Sequence, residues 1–117
     1  MAAFEIIVYA KQDKTEPVTE FLLSLTPKMQ AKVLRQIDIL SEFGYELREP
    51  YSSALNDGIF ELRIKQGSDI SRVLYFFFAD RKIILTNGFI KKTQKTPTEQ
   101  IRLAKAYRDD YLRRTKE

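Results

Sequence analysis

Apolar and polar positions alternate along this chain with two different periods, and the switches between them mark out the elements. Phe4–Ala10 is short, β-branched and aromatic, the composition of a strand. Lys11–Lys14 is a polar turn. Val18, Phe21, Leu22 and Leu25 then recur at i, i+3, i+4 and i+7, one face of a helix. Pro17 suits the first turn of that helix. Thr26 and Pro27 close it and open a second, with Thr26 as N-cap and an apolar stripe of Met29, Val33, Ile37 and Leu40. Gly44 is placed to end it. A junction this tight predicts a helical hairpin. Tyr45–Asp57 reads as a polar connection.

Three closely spaced strands are predicted next, at Gly58–Ile64, Ile70–Phe78 and Lys82–Gly88, with turns at Lys65–Asp69 and Ala79–Arg81. Such spacing makes an antiparallel meander. Lys91–Lys95 is a basic loop. Thr96-Pro97-Thr98-Glu99 has the pattern of a capping box with proline at the first helical position, opening a last helix to about Arg113. The predicted order is β-α-α-β-β-β-α. Strands and helices are segregated, so the class is α+β, an antiparallel sheet packed by a helix hairpin and a C-terminal helix. Neither repeats nor low-complexity runs interrupt the pattern, and residues 1–117 read as a single domain.

Composition narrows the chemistry. The chain has no Cys and no His, which removes disulfides, thiolate metal sites, His ligands and a His general base. Asp and Glu show no metal-ligand clustering, so neither a metal nor another cofactor is expected. No run approaches the roughly 18 apolar residues of a membrane span. The N-terminal stretch, apolar but short and carrying Glu5, reads as a strand and not a signal peptide. The cytoplasm is the expected compartment. Charge is uneven: residues 1–58 carry 6 Lys or Arg against 9 Asp or Glu, and residues 59–117 carry 14 against 7. A basic half beside an acidic half suggests a surface facing a polyanion, or simply solvated helix faces.

Strand alternation places Phe60, Leu62 and Ile64 on one face and Ile59, Glu61 and Arg63 on the other. In the next strand Arg72, Leu74, Phe76 and Phe78 share a face. A turn centred on Gly67-Ser68 sets Arg63 opposite Arg72. Like charges directly opposed across strands are destabilising, so the pair calls for an anion. Glu61 supplies one internally, or a phosphate supplies it from outside, since arginine suits forked phosphate contacts. Beyond the last strand, Lys91, Lys92, Gln94 and Lys95 suit a nucleic-acid backbone, though a solvated loop has the same composition. Phe89 or Tyr75 offers a ring for an unpaired base. The run Tyr75–Phe78 also has the character of a buried central strand. Tyr107 and Tyr111, four apart on the last helix, read as core anchors, or alternatively place a phenol near the site.

Three stretches together resemble the RelE/HigB toxin superfamily, in particular its phage-derived HigB-like branch: GIFELR at Gly58–Arg63, SRVLYFF at Ser71–Phe77, and NGFIKKTQKTPTEQIRLAKAYRDDY at Asn87–Tyr111. The resemblance implies a RelE-like fold and the toxin of a type II toxin–antitoxin system, an endoribonuclease that cleaves mRNA in the ribosomal A site. It also implies a cognate antitoxin with a helix-turn-helix domain, which would link the toxin to operator DNA. Arg63 fits the family's strand arginine after Glu-Leu. Arg72 fits the arginine opening the next strand, and Lys91 and Lys92 fit the lysine pair after the last. The branch often has His before the Gly-Phe, where this chain has Asn87. Asn cannot shuttle a proton, so that His either is not the essential base or has been replaced in function. The chemistry expected is metal-independent attack of a ribose 2′-hydroxyl on the adjacent phosphate. Lys91 or Lys92 acts as base, Arg63 and Arg72 stabilise charge, and Glu61 orients Arg63. A ParE-like inhibitor of gyrase on the same fold, and a plain nucleic-acid-binding module, are the alternatives.

Overall fold

The computed structural model describes residues 3–91 and 95–115. Strand β1 (Glu5–Val8) is followed by helices α1 (Pro17–Leu23) and α2 (Pro27–Phe43) and a short 3-10 turn at Gly44–Glu46. Strands β2 (Ser52–Ala54), β3 (Phe60–Gln66), β4 (Asp69–Phe78) and β5 (Lys82–Lys91) come next, and helix α3 (Thr98–Thr115) is the last element described. The five strands form one sheet in the order β1-β5-β4-β3-β2. The α+β class and the meander of β3, β4 and β5 are as the sequence predicts.

Helices cover both faces of the sheet. On one face Val18, Met29, Val33, Ile37 and Leu40 from the hairpin pack against Leu62, Ile64, Val73, Tyr75, Ile83 and Leu85. On the other, Ala104, Tyr107, Tyr111 and Leu112 of α3 pack against Ile59, Leu74, Phe76 and Ile84. This is why β4 is apolar at successive positions, Val73 through Phe76: a central strand covered on both sides has no solvent face to leave polar. Tyr107 and Tyr111 are core anchors. Tyr107 stacks on Tyr9 at 4.7 Å, and Tyr111 meets Phe76 and Phe78 edge-on. The Tyr9 hydroxyl donates to Asp110 Oδ2 at 2.6 Å, and Arg114 holds the same carboxylate. Burial and then that carboxylate push the Tyr9 pKa up to about 12, while Arg114 and Tyr9 hold Asp110 down at about 2.

Four local details depart from the sequence reading. The connection Tyr45–Asp57 contains β2, only three residues long and too polar to betray a strand; it pairs antiparallel with β3, and Ser52 hydrogen-bonds the Tyr75 hydroxyl. β1 pairs with β5 in parallel, Glu5 beside Lys82 through Val8 beside Leu85, so the sheet is mixed and not wholly antiparallel. β5 continues to Lys91, which therefore sits on a strand and not in a loop. Finally, α3 starts at Thr98, its first bonds running from Gln100 and Ile101 N–H to the Pro97 carbonyl, so Thr96 does not cap it.

The expected N-cap of α2 does form, Thr26 Oγ1 accepting from Met29 N–H at 3.2 Å. Gly44 ends α2 with φ of 52°, and a Cβ there would lie 2.0 Å from the Phe4 ring. Gly67, in the turn between β3 and β4, has φ of 62° but open space around it. The two glycines therefore differ in what they prevent. Gly67→Ala should cost about 1–2 kcal/mol, the strain of a left-handed backbone alone. Gly44→Ala adds overpacking against a buried ring and should cost roughly 3 kcal/mol or more. Urea unfolding of the two variants checks the difference.

Candidate functional site

The two-residue turn Gly67-Ser68 fixes the register of β3 against β4, with Gln66 opposite Asp69 and Arg63 opposite Arg72. Across the next pairing Phe89 lies opposite Arg72 and Lys91 opposite Ile70. Strand alternation then puts Glu61, Arg63, Arg72, Phe89 and Lys91 on one face of the sheet, the face that α3 covers further along.

Glu61 organises this face. It is fully buried. Its Oε2 accepts from Arg72 Nη1 and from Arg63 Nε, the latter at 3.1 Å, and its Oε1 accepts from the Thr96 hydroxyl. The carboxylate is thus the internal anion that the opposed arginines require. It leaves them different. Arg72 is buried at 6% exposure, and its Nε has no hydrogen-bond partner among the described residues. Burial holds its pKa below the usual arginine range, and Arg63 adds to this while Glu61 opposes it. Arg63 is half-exposed, and its Nη1 reaches Glu49 at 2.9 Å on the rim.

Lys91 is 7% exposed. Its pKa is lowered, first by burial and then by Arg72, with Arg63 contributing less and Glu61 opposing. Desolvation is the larger cause, and the neighbouring cations add to it. Phe89 is half-buried beside Arg72. Lys95 is exposed, just before α3. Lys92 and Gln94 lie outside the described residues.

Tyr75 is a correction. It points to the opposite face, 1% exposed, stacked on Phe60 at 5.6 Å. Its ring is part of the core and cannot take a base. Asn87, on the site face, ties β5 to α3 by donating from Nδ2 to Gln100 Oε1 at 3.0 Å. Two residues escaped the sequence reading. Thr96 fits a capping box, a pattern that predicts a helix cap for its hydroxyl, yet the residue is buried and spends that hydroxyl on Glu61. Glu49 lies in the polar connection and carries no local signal.

The fold and this face define a small α+β protein with two arginines and a lysine gathered round a buried carboxylate. A family model described as "Phage derived protein Gp49-like (DUF891)" matches residues 20–109, and the chain belongs to that family, which is associated with the toxins of toxin–antitoxin systems. No curated protein matches the chain. The match spans every site residue named above. No helix among the described residues is long and apolar enough to cross a membrane.

The network should behave as a unit. Glu61→Leu strands a buried guanidinium and should cost roughly 3–5 kcal/mol, whereas Glu61→Leu combined with Arg72→Met should recover much of that loss. Thr96→Val leaves one carboxylate oxygen unmet and should cost roughly 1–3 kcal/mol. Chemical denaturation of these three proteins and of Arg72→Met alone checks the cycle; equal losses in Glu61→Leu and the double variant would deny the pairing.

Proposed function

We propose that this chain is a toxin that cleaves mRNA in the ribosomal A site, without a catalytic metal. The observation that carries the reading is the convergence of Arg63, Arg72 and Lys91 on one face around buried Glu61, in a family associated with toxins.

The chemistry follows from the residue types. With no His or Cys, the nearest nucleophile to the scissile phosphate is the substrate's own 2′-hydroxyl, already tethered beside it. Its attack breaks the P–O5′ bond, and the departing 5′-oxygen takes a proton from water, leaving a 2′,3′-cyclic phosphate and a 5′-hydroxyl. Lys91 in its neutral form takes the 2′-hydroxyl proton, and its burial favours that form. Arg63, held by Glu61 yet half-exposed, faces the charge that builds on phosphorus. Arg72 is more enclosed and supports that field from behind. Glu61 is saturated by three donors, so it orients the arginines and does not act as base. The ribosome supplies in-line geometry to the mRNA. A partner antitoxin restrains the toxin, and an acidic segment would complement the basic half of the chain.

Arg63→Ala should abolish growth arrest on induction while leaving the circular dichroism melt nearly unchanged. Arg72→Ala is a poorer probe, because it strands Glu61 and should destabilise the fold as well. Primer extension after induction of the wild type should show cuts only within translated frames. Growth arrest without such cuts, accompanied by loss of gyrase supercoiling, would overturn the reading.

Cleavage of a programmed ribosome should also proceed when free metal at the toxin is chelated and ribosome integrity is controlled. It should fail on an A-site codon carrying a 2′-deoxy sugar at the cut. The single-turnover rate should rise with pH to a plateau, with an apparent pKa below the ordinary lysine value of 10.5. Lys91→Arg should remove that rise. Undiminished cutting of the deoxy substrate would exclude 2′-hydroxyl attack.

A further inference from the structure

β2 pairs only with Phe60–Leu62, so beyond Arg63 the outer edge of β3 is covered by no strand among the described residues. Helix α2 runs beside that edge, and Lys32 Nζ donates to the Lys65 carbonyl at 3.1 Å. Between helix and edge lies a cleft of about 520 Å³. Five cations line it: Lys32 and Arg35 from α2, Arg63 and Lys65 from β3, and Arg72 from β4. No carboxylate is among its lining residues, and Tyr51, 52% exposed, forms part of the wall. Arg63 and Arg72 belong both to this lining and to the candidate site, so cleft and site adjoin at these two residues.

We propose that this cleft binds the ribose–phosphate backbone of single-stranded RNA and holds the strand beside the bond to be cut; this rests on the reading of the arginine face as an RNA-cleaving site. A concave surface lined by one sign of charge concentrates the field on an incoming polyanion. The guanidiniums suit forked contacts to phosphate oxygens. The exposed Tyr51 ring offers a stacking surface, which an unpaired base needs and an acidic peptide does not. Glu49 fits the same picture from the rim. Its carboxylate is 67% exposed and bonds Arg63 Nη1 at 2.9 Å. An exposed ion pair of this kind contributes little to stability, so a phosphate displaces it at small cost. Glu49 therefore competes with RNA for Arg63.

The test is fluorescence anisotropy of the intact chain with a labelled 2′-O-methyl oligoribonucleotide of about eight nucleotides, a length within single-strand site sizes and resistant to 2′-hydroxyl attack. Lys32→Ala and Arg35→Ala should each weaken binding about threefold or more and reduce the salt slope by about 0.7. Tyr51→Ala should weaken it about fivefold or more. Glu49→Gln should tighten it, and Lys28→Ala, on α2 outside the cleft, should leave it unchanged. Binding weakened by these amounts in Arg35→Ala and Tyr51→Ala upholds the cleft even where the wild type cuts no mRNA. Wild-type affinity in both variants overturns it even where cleavage is found. An equally charged poly-glutamate peptide that displaces the RNA at equal concentration, with Tyr51→Ala without effect, overturns it in favour of a protein partner.

Discussion

A carboxylate buried between two arginines sets the terms for much of this molecule. Glu61 sits near the start of β3, fully enclosed, and no apolar residue could take its place without leaving Arg72 unneutralised. Burying ions is expensive, and a buried pair is weak evidence for stability. Its presence is better understood through what it holds in place. It fixes one guanidinium inside the sheet, leaves a second leaning toward solvent, and draws in Thr96 from the segment before α3. Three separate parts of the chain thereby meet at two oxygen atoms.

The remaining energetics are those of an ordinary two-sided sheet. Side chains of β4 and β5 are buried alternately under the helical hairpin and under α3, so each strand supplies two cores at once. Gly88 shows how closely the layers approach, since a Cβ there would lie 2.4 Å from the Phe21 ring. The apolar cores carry the fold, and the polar network beside them is held at a cost in solvation.

Much of this is legible in the residues themselves. Periodicity locates all three helices and the meander, because amphipathic stripes and turn residues are local signals. The opposition of Arg63 and Arg72 is also readable once the turn within Lys65–Asp69 is centred on Gly67-Ser68, which is where the structure has it. What escapes is non-local or ambiguous. The direction of β1 depends on a partner far away in sequence. The three residues of β2 hold too little pattern to declare a strand. Tyr75 has the same residue type as an exposed stacking platform, although the alternation that puts Arg72 and Leu74 on the site face already sends it to the other. Thr96 carries a true helix-start pattern, and a buried acceptor competes more strongly for its hydroxyl than the helix does.

The parallel pairing of β1 with β5 also governs when the molecule can exist. Glu5 finds its place beside Lys82, and Val8 beside Leu85, so the first strand made has to wait for the last. Contacts so distant along the chain must be closed against loop entropy before they return any stabilisation, which slows folding. During synthesis the hairpin of α1 and α2 emerges early, but the sheet beneath it is completed only when β5 has been made. Thr96, which completes the shell of Glu61, is translated later still. The arginine face therefore cannot be complete on a nascent copy until Thr96 has been made and released to fold, long after the hairpin of α1 and α2.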